Sequence, residues 1–397
     1  MSLSIDAVTR EAPATEPSRR RFLGACALSG AGALLLPTLA GAAAPATAAR
    51  SQWPGYRQAT VIDTLNGGPL DPQSEAEYAP LDARVLADAK ASGLTACNVT
   101  VSGVGSYLND YALTMRAIAY WNGELARHAD ALQMVRTGAD LADAKHSGRL
   151  GLIYGFQDAT PFGEDLERFE TFYGLGVRIY QLTYNRRNLV GDGCLEAANA
   201  GLSQFGRELI ERFDAGRALI DLSHSGQRTA LEAIAASRRP VTISHTGCAA
   251  LVDRPRNKSD EELRVLAGRG GVAGIYLMPF LRKEGQPTAA DLIRHIEHAI
   301  NVCGEEHVSL GSDGIIPAID LTPEYRKAFR AFVEERVRRG IAAPGESAEV
   351  VNFLPDFNQP DRFDRIALLL SRRGHRDARI EKILGGNFAR LFTDVCG

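Results

Sequence analysis

Two stretches of the chain, Asp221-Leu222-Ser223-His224 and Thr242-Ile243-Ser244-His245, each end an apolar run on a serine and an imidazole. A neutral imidazole is a good ligand for a borderline-soft dication such as zinc, provided an acceptor orients its other ring nitrogen. Two such histidines at the ends of successive strands would be aimed at one ion, so His224 and His245 are the metal-ligand candidates. Asp313, in Leu310-Gly311-Ser312-Asp313-Gly314, stands where a carboxylate could activate water or hold a histidine; the plainer alternative is a turn cap. Arg256, in Arg254-Pro255-Arg256-Asn257, offers a planar guanidinium fork for a substrate carboxylate. Tyr184 brings a hydroxyl that can donate a hydrogen bond. The pair His295 and His298 lies among charged residues of a helical pattern and reads as an exposed face.

These residues need a frame. From Gln58 onward, short apolar β-branched runs alternate with longer helical patterns, and no Pro/Gly/Ser linker divides them. The candidate strands are Ala59–Ile62, Ala96–Val99, Leu150–Tyr154, Ile179–Leu182, Ala218–Leu222, Val241–Ile243, Gly271–Tyr276 and His307–Leu310. Helical patterns lie between them, among them Leu81–Ser92, Tyr111–His128, Ser203–Asp214 and Ala289–Cys303. Strands apolar throughout, each followed by a helix, are what a parallel sheet covered on its outside requires. A polar residue stands directly after nearly every run: Asp63, Gln157 and Asp158, Tyr184 and Asn185, His224, His245, Asp313. In an α/β fold of the (β/α)8 TIM-type barrel, the C-terminal strand ends converge on one face, and these residues would meet around a single pocket. A doubly wound open sheet would spread them along an edge, and no glycine-rich phosphate loop supports it.

A chain of 397 residues with 45% apolar content and a net charge of −3 can bury a large core and carries no basic stretch suited to nucleic acid or an anionic membrane. Residues 1–48 read as an export signal of the twin-arginine type: Arg19-Arg20-Arg21-Phe22-Leu23, an Ala- and Gly-rich apolar run, and the small-residue site Ala46-Thr47-Ala48. The alternative is an N-terminal membrane anchor. Residues 49–397 would then form one barrel domain outside the cytoplasm, with its cysteines as buried free thiols.

Several stretches resemble the membrane (renal-type) dipeptidases: Ile179-Tyr180-Gln181-Leu182-Thr183-Tyr184-Asn185, Gly191-Asp192-Gly193, Asp221-Leu222-Ser223-His224, Ser244-His245-Thr246, Pro255-Arg256-Asn257, Gly311-Ser312-Asp313-Gly314 and Ile383-Leu384-Gly385-Gly386-Asn387. The resemblance runs in family order from about residue 59 to the end. It implies a two-zinc barrel that hydrolyses dipeptides. His224 and His245 would bind the second zinc, Arg256 would receive the substrate carboxylate, and Asp313 would handle the proton. The departures are as specific. Where the family carries a His-x-Asp pair the chain has Leu65 and Gly67, and Gln157 takes the place of the carboxylate that bridges the zincs. Tyr184 replaces a substrate-side histidine. One zinc rather than two is the expectation, with Asp313, Asp158 or Asp63 as third ligand. The competing reading is an inactive barrel that binds a small carboxylate ligand; a third keeps catalysis without metal. A homodimer is left open, and the segment from Arg338 to Pro360 reads as either a cover for the barrel mouth or a dimer contact.

Overall fold

The computed structural model describes residues 52–72, 74 and 78–397, so the twin-arginine reading of residues 1–48 lies outside the described residues. The strands are β1 (Ile62–Asn66), β2 (Ala96–Thr100), β3 (Leu132–Met134), β4 (Leu150–Phe156), β5 (Val177–Gln181), β6 (Leu219–Asp221), β7 (Thr242–Thr246), β8 (Val272–Ile275) and β9 (Val308–Leu310). All pairings are parallel, in the order β1-β2-β4-β5-β6-β7-β8-β9, with β3 added outside the path on β4. The circle closes between the end of β1 and the turn after β9: Asp313 N donates to the Leu65 carbonyl at 2.9 Å and Gly67 N to that of Gly314 at 2.6 Å. The architecture is a parallel eight-stranded barrel of the TIM type.

The eight expected strands are present with shifted ends, and β3 is an addition. The largest shift is at β1, read as Ala59–Ile62 and found at Ile62–Asn66. Asp63 therefore sits inside a strand, not after it, and is fully buried, because its carboxylate is tied to Ser312 on the far side of the barrel seam. His245 likewise lies within β7.

The helices on the outside are α1 (Ala83–Ser92), α2 (Asp110–Arg127), α3 (Gly138–Ser147), α4 (Arg168–Gly174), α5 (Gln204–Ala215), α6 (Gln227–Ala236), α7 (Asp260–Gly268) and α8 (Ala289–Cys303). They are followed by α9 (Pro323–Arg338), α10 (Arg362–Arg372), α11 (Asp377–Glu381) and α12 (Asn387–Cys396). Several start on a side-chain cap, such as the reciprocal Ser259–Glu262 capping box of α7. Phe388, Leu391, Phe392 and Val395 of α12 pack as a separate apolar cluster with Ile62, Ala96, Leu219 and Val272, the first residues of their strands, and with Ile153 and Ile179 in the middle of theirs. The last helix thus closes one end of the barrel with apolar side chains.

Among the described residues no helix is long and apolar enough to cross a membrane. Cys97, Cys194, Cys248, Cys303 and Cys396 are free thiols, as expected, but Cys194 and Cys303 are only partly buried. His295 corrects its sequence reading. It is completely buried, its Nδ1 accepting from Cys248 N at 2.9 Å and its Nε2 facing the Leu281 carbonyl at 3.1 Å. Burial lowers its pKa to about 4, so it is a neutral core residue. His298 is partly exposed and bonded to Asp260 at 2.7 Å.

Candidate functional site

At the C-terminal ends of β6 and β7 one buried carboxylate organises everything around it. Asp221 accepts hydrogen bonds from Ser223 N at 3.0 Å, Ser244 N at 2.9 Å and both serine hydroxyls. Burial raises its pKa and these four bonds oppose the rise. Since the backbone register between β6 and β7 extends over Asp221 and Thr242, this side chain continues the pairing where the ladder stops.

The network fixes the protonation pattern of the histidines. Ser244 Oγ gives its proton to Asp221, so it accepts from His245 Nδ1 at 2.8 Å. Asn185 Nδ2 donates to the Ile341 carbonyl at 2.8 Å, which turns its Oδ1 toward His224 Nδ1 at 2.6 Å. Both Nδ1 atoms are then protonated and both Nε2 atoms carry lone pairs, assigned from the partners they meet. Those two Nε2 atoms lie 2.9 Å apart. Two lone pairs at that distance repel unless a cation, proton or metal, lies between them.

The same observation tests the metal implied by the resemblance. Nitrogens bound tetrahedrally to one zinc stand ~3.3 Å apart, so this pair is within a few tenths of an ångström of a ligand geometry. The donor chemistry fits one ion. The two imidazoles are two of the three protein ligands a catalytic zinc takes, and among the described residues no cluster of three or more His, Cys, Asp or Glu side chains is placed to hold a metal; with Leu65, Gly67 and Gln157 at the other expected positions, the donors do not fit a second ion. Of the proposed third ligands, Asp63 is committed to Ser312 and Asn66, and Asp158 to Gly105 N at 3.0 Å and Asn188 Nδ2 at 2.8 Å. Burial pushes Asp63 up to about 6 and Asp158 up to about 7. At Gly67 a Cβ would come within 2.9 Å of Ile315 Cγ2, so the space for a first-ion ligand is filled by an apolar side chain.

A cavity of about 180 Å³ opens at the barrel mouth. Its floor includes Leu65, Gly67, Gln157, Tyr184 and Asp313, and its cover comes from α9 and the segment after it, including Phe332, Arg336, Ile341 and Phe353. The 338–360 segment therefore contributes to the cover of the mouth. Asp313 has a left-handed backbone (φ 55), and its Oδ1 faces Gln157 Nε2 at 3.5 Å. The Tyr184 hydroxyl accepts from Arg336 Nη1 at 3.3 Å, and Arg336 is held by Glu346 in a nearly buried ion pair.

The expected site residues form two layers rather than one ring. Tyr184, Gln157 and Asp313 are in the cavity wall; His224, His245 and Arg256 are not. The Tyr184 ring stacks on His224 with centroids 4.1 Å apart, and so stands between the cavity and the imidazoles. Arg256 is 2% exposed; its Nη1 donates to the Ser223 carbonyl at 2.6 Å, and its Nη2 is buried with no hydrogen-bond partner. The sequence assigns no role to Asp221, Ser244 or Arg336, and names Asn185 only as a polar residue after its strand. The available signal was the repeated Ser-His pair, since an oriented imidazole needs an acceptor beside it.

Comparison with known proteins bears on the family and the fold. Residues 58–344 match the family described as membrane dipeptidase (peptidase family M19). A dipeptidase of Clonostachys rogersoniana is 29% identical over 236 residues, which are 58% of this chain and 60% of that protein; the match thus spans less than two thirds of that relative's length. An amidohydrolase from Pseudomonas aeruginosa of known structure is 32% identical, with a TM-score of 0.73 over 86% of this chain and 98% of that one. A metallopeptidase from Rhodobacter sphaeroides, solved with a phosphinate mimic of the dipeptide L-Ala-D-Ala, shares the fold at 17% identity, with a TM-score of 0.69 over 85% of this chain and 99% of that one.

Proposed function

The chain belongs to the membrane dipeptidase family, and on that premise we propose that it hydrolyses a dipeptide or related small amide, using one zinc ion rather than two. The observation that carries this reading is the pair of lone-pair Nε2 atoms of His224 and His245, 2.9 Å apart and locked by Asn185 and Ser244. These two imidazoles would hold the ion, and the chemistry such an ion supplies is polarisation of the scissile carbonyl. The remaining work falls to the chain. Asp313 takes a proton from the attacking water and returns it to the leaving nitrogen, so that the amide becomes a carboxylic acid and an amine. Arg256 Nη2 receives the substrate carboxylate, an anion that satisfies a buried donor. Tyr184 must swing aside for the substrate to reach the imidazoles, and Arg336 on its hydroxyl sets how readily it does so. We place the reaction outside the cytoplasm, on the twin-arginine reading of residues 1–48 and its export machinery.

A second reading, an inactive barrel that binds a small carboxylate ligand, is favoured by the absence of both imidazoles from the cavity wall. One experiment separates the two. Metal content is measured on protein purified without chelator, with amino-acid release from a dipeptide panel, for the wild type and His224→Ala. The hydrolase reading expects about one metal per chain, lost in the variant together with ~10²–10⁴-fold of the activity. Two metals per chain would overturn the single-ion assignment, and neither metal nor turnover would leave the binding protein.

A further inference from the structure

The residues that stand where the resemblance calls for a first ion also shape the cavity. At Gly67 a Cβ would meet Ile315 Cγ2 at 2.9 Å and Leu70 Cδ1 at 3.9 Å. Leu65, at the other ligand position, lines the cavity together with Leu70, Val101 and Ile315. Two polar side chains of the wall beside them are already bonded within the protein. Asn66 Nδ2 donates to Asp63 at 2.8 Å and to Ser312 Oγ at 3.0 Å, and Arg362 donates to the carbonyls of Ile315 and Ile316. A polar group brought against Leu65, Leu70 and Ile315 gives up water without a partner, whereas an apolar group there is stabilised by its burial.

Size and direction narrow the occupant further. An apolar cavity of ~150 Å³ takes up a benzene molecule. This one, at about 180 Å³, has room for a phenyl or isobutyl side chain. The Tyr184 ring is in its wall and stacks on His224, while Arg256 is outside the wall and bonded to the carbonyl of Ser223, next to His224. A dipeptide whose carboxylate reaches Arg256, with its scissile carbonyl at the imidazoles, therefore leaves its amino-terminal side chain on the cavity side of Tyr184.

We propose that the region where the resemblance places the first ion is a specificity pocket, and that the substrates of this chain are dipeptides whose amino-terminal residue carries a large apolar side chain, such as that of phenylalanine or leucine. The assignment of that side chain to the acyl residue rests on the hydrolase reading above. Leu65, Leu70 and Ile315 are the residues that set the preference.

The test compares phenylalanylglycine, alanylglycine and glutaminylglycine on the wild-type chain, by calorimetric titration and by glycine release. Phenylalanylglycine is expected to exceed alanylglycine by ~10-fold or more, in kcat/KM where glycine is released and in affinity where it is not, since even one methylene in an apolar pocket discriminates about that strongly. Glutaminylglycine, larger than alanylglycine but polar, is expected to gain nothing over it. Val104→Phe, which fills the wall from a half-buried loop position, is expected to shrink the phenylalanine preference. Equal handling of the phenylalanine and alanine compounds, a preference for the glutamine compound, or binding of none of the three overturns the proposal. Glycine release without a preference leaves the hydrolase reading standing and removes the pocket. Preferred binding of phenylalanylglycine without glycine release sustains the pocket and removes the hydrolase reading instead, so the two fail separately.

Discussion

The β6–β7 side of the barrel mouth and the β1–β4 side are built on the same parallel strands and hold opposite chemistry. On the first, Asp221 accepts four hydrogen bonds and the imidazoles beyond it are fixed in tautomer and orientation. On the second, Leu65, Gly67 and Gln157 offer no metal ligand of comparable strength, and Ile315 fills the room at Gly67. A half-site is therefore more than its ligands. Where the proposed ligands His224 and His245 stand, acceptors orient them; where the resemblance would place the others, Leu65 and Ile315 fill the space.

This contrast can be broken from either side. The largest effect is expected at Asp221→Ala, which strands the amides of Ser223 and Ser244 in a dry interior. Each such donor costs ~1–3 kcal/mol, so the fold should lose about 3 kcal/mol or more by chemical denaturation, and the variant should also lose metal. Retention of both stability and metal would show that the imidazoles do not depend on this carboxylate.

A smaller effect is expected on the repacked side. Gly67→Asp alone forces a Cβ against Ile315 and should cost ~1–3 kcal/mol as an overpacked core substitution, with no gain in bound metal. Leu65→His with Gly67→Asp and Ile315→Ala removes the obstruction and should raise the metal content by elemental analysis. If the Gly67→Asp change by itself recruited an ion, the apolar filling would be irrelevant to the loss.

The smallest effect is a pH slope. Asp158 is raised by burial to about 7 in the folded chain, against its ordinary value of 3.8. Between roughly pH 4 and 7 the folded state holds the proton that the unfolded state has released, so stability falls as pH rises through this window. Below it the contribution vanishes, because both states are protonated. Asp158→Asn should flatten that decline in denaturation midpoints measured across the window, while the imidazole side is left untouched.

Much of this was legible in the sequence. Apolar runs followed by helical patterns placed the strands, since a parallel sheet buried on both faces leaves that mark. What escaped has physical causes. β1 was misplaced because Asp63 and Asn66 face a polar barrel interior and read as loop, and β3 is three residues long. His295 read as exposed because charged neighbours surround it, although α8 turns it inward together with Leu292, Ile296 and Ala299. His224 and His245 were visible through the repeated Ser-His pair. The separation of the imidazoles from the cavity was not, because it depends on the rotamer of Tyr184 and on Arg336, 152 residues away.

Asn185 joins two parts of the molecule that the sequence keeps far apart. One end of its amide holds the Ile341 carbonyl in the cover, and the other holds Nδ1 of His224. Thermodynamic linkage then makes the two reciprocal. On the proposed reading, any ligand that draws the cover down over the mouth would tighten a cation held by the imidazoles, and the cation would strengthen the grip of the cover by the same factor. A single amide, flipped or removed, would uncouple them.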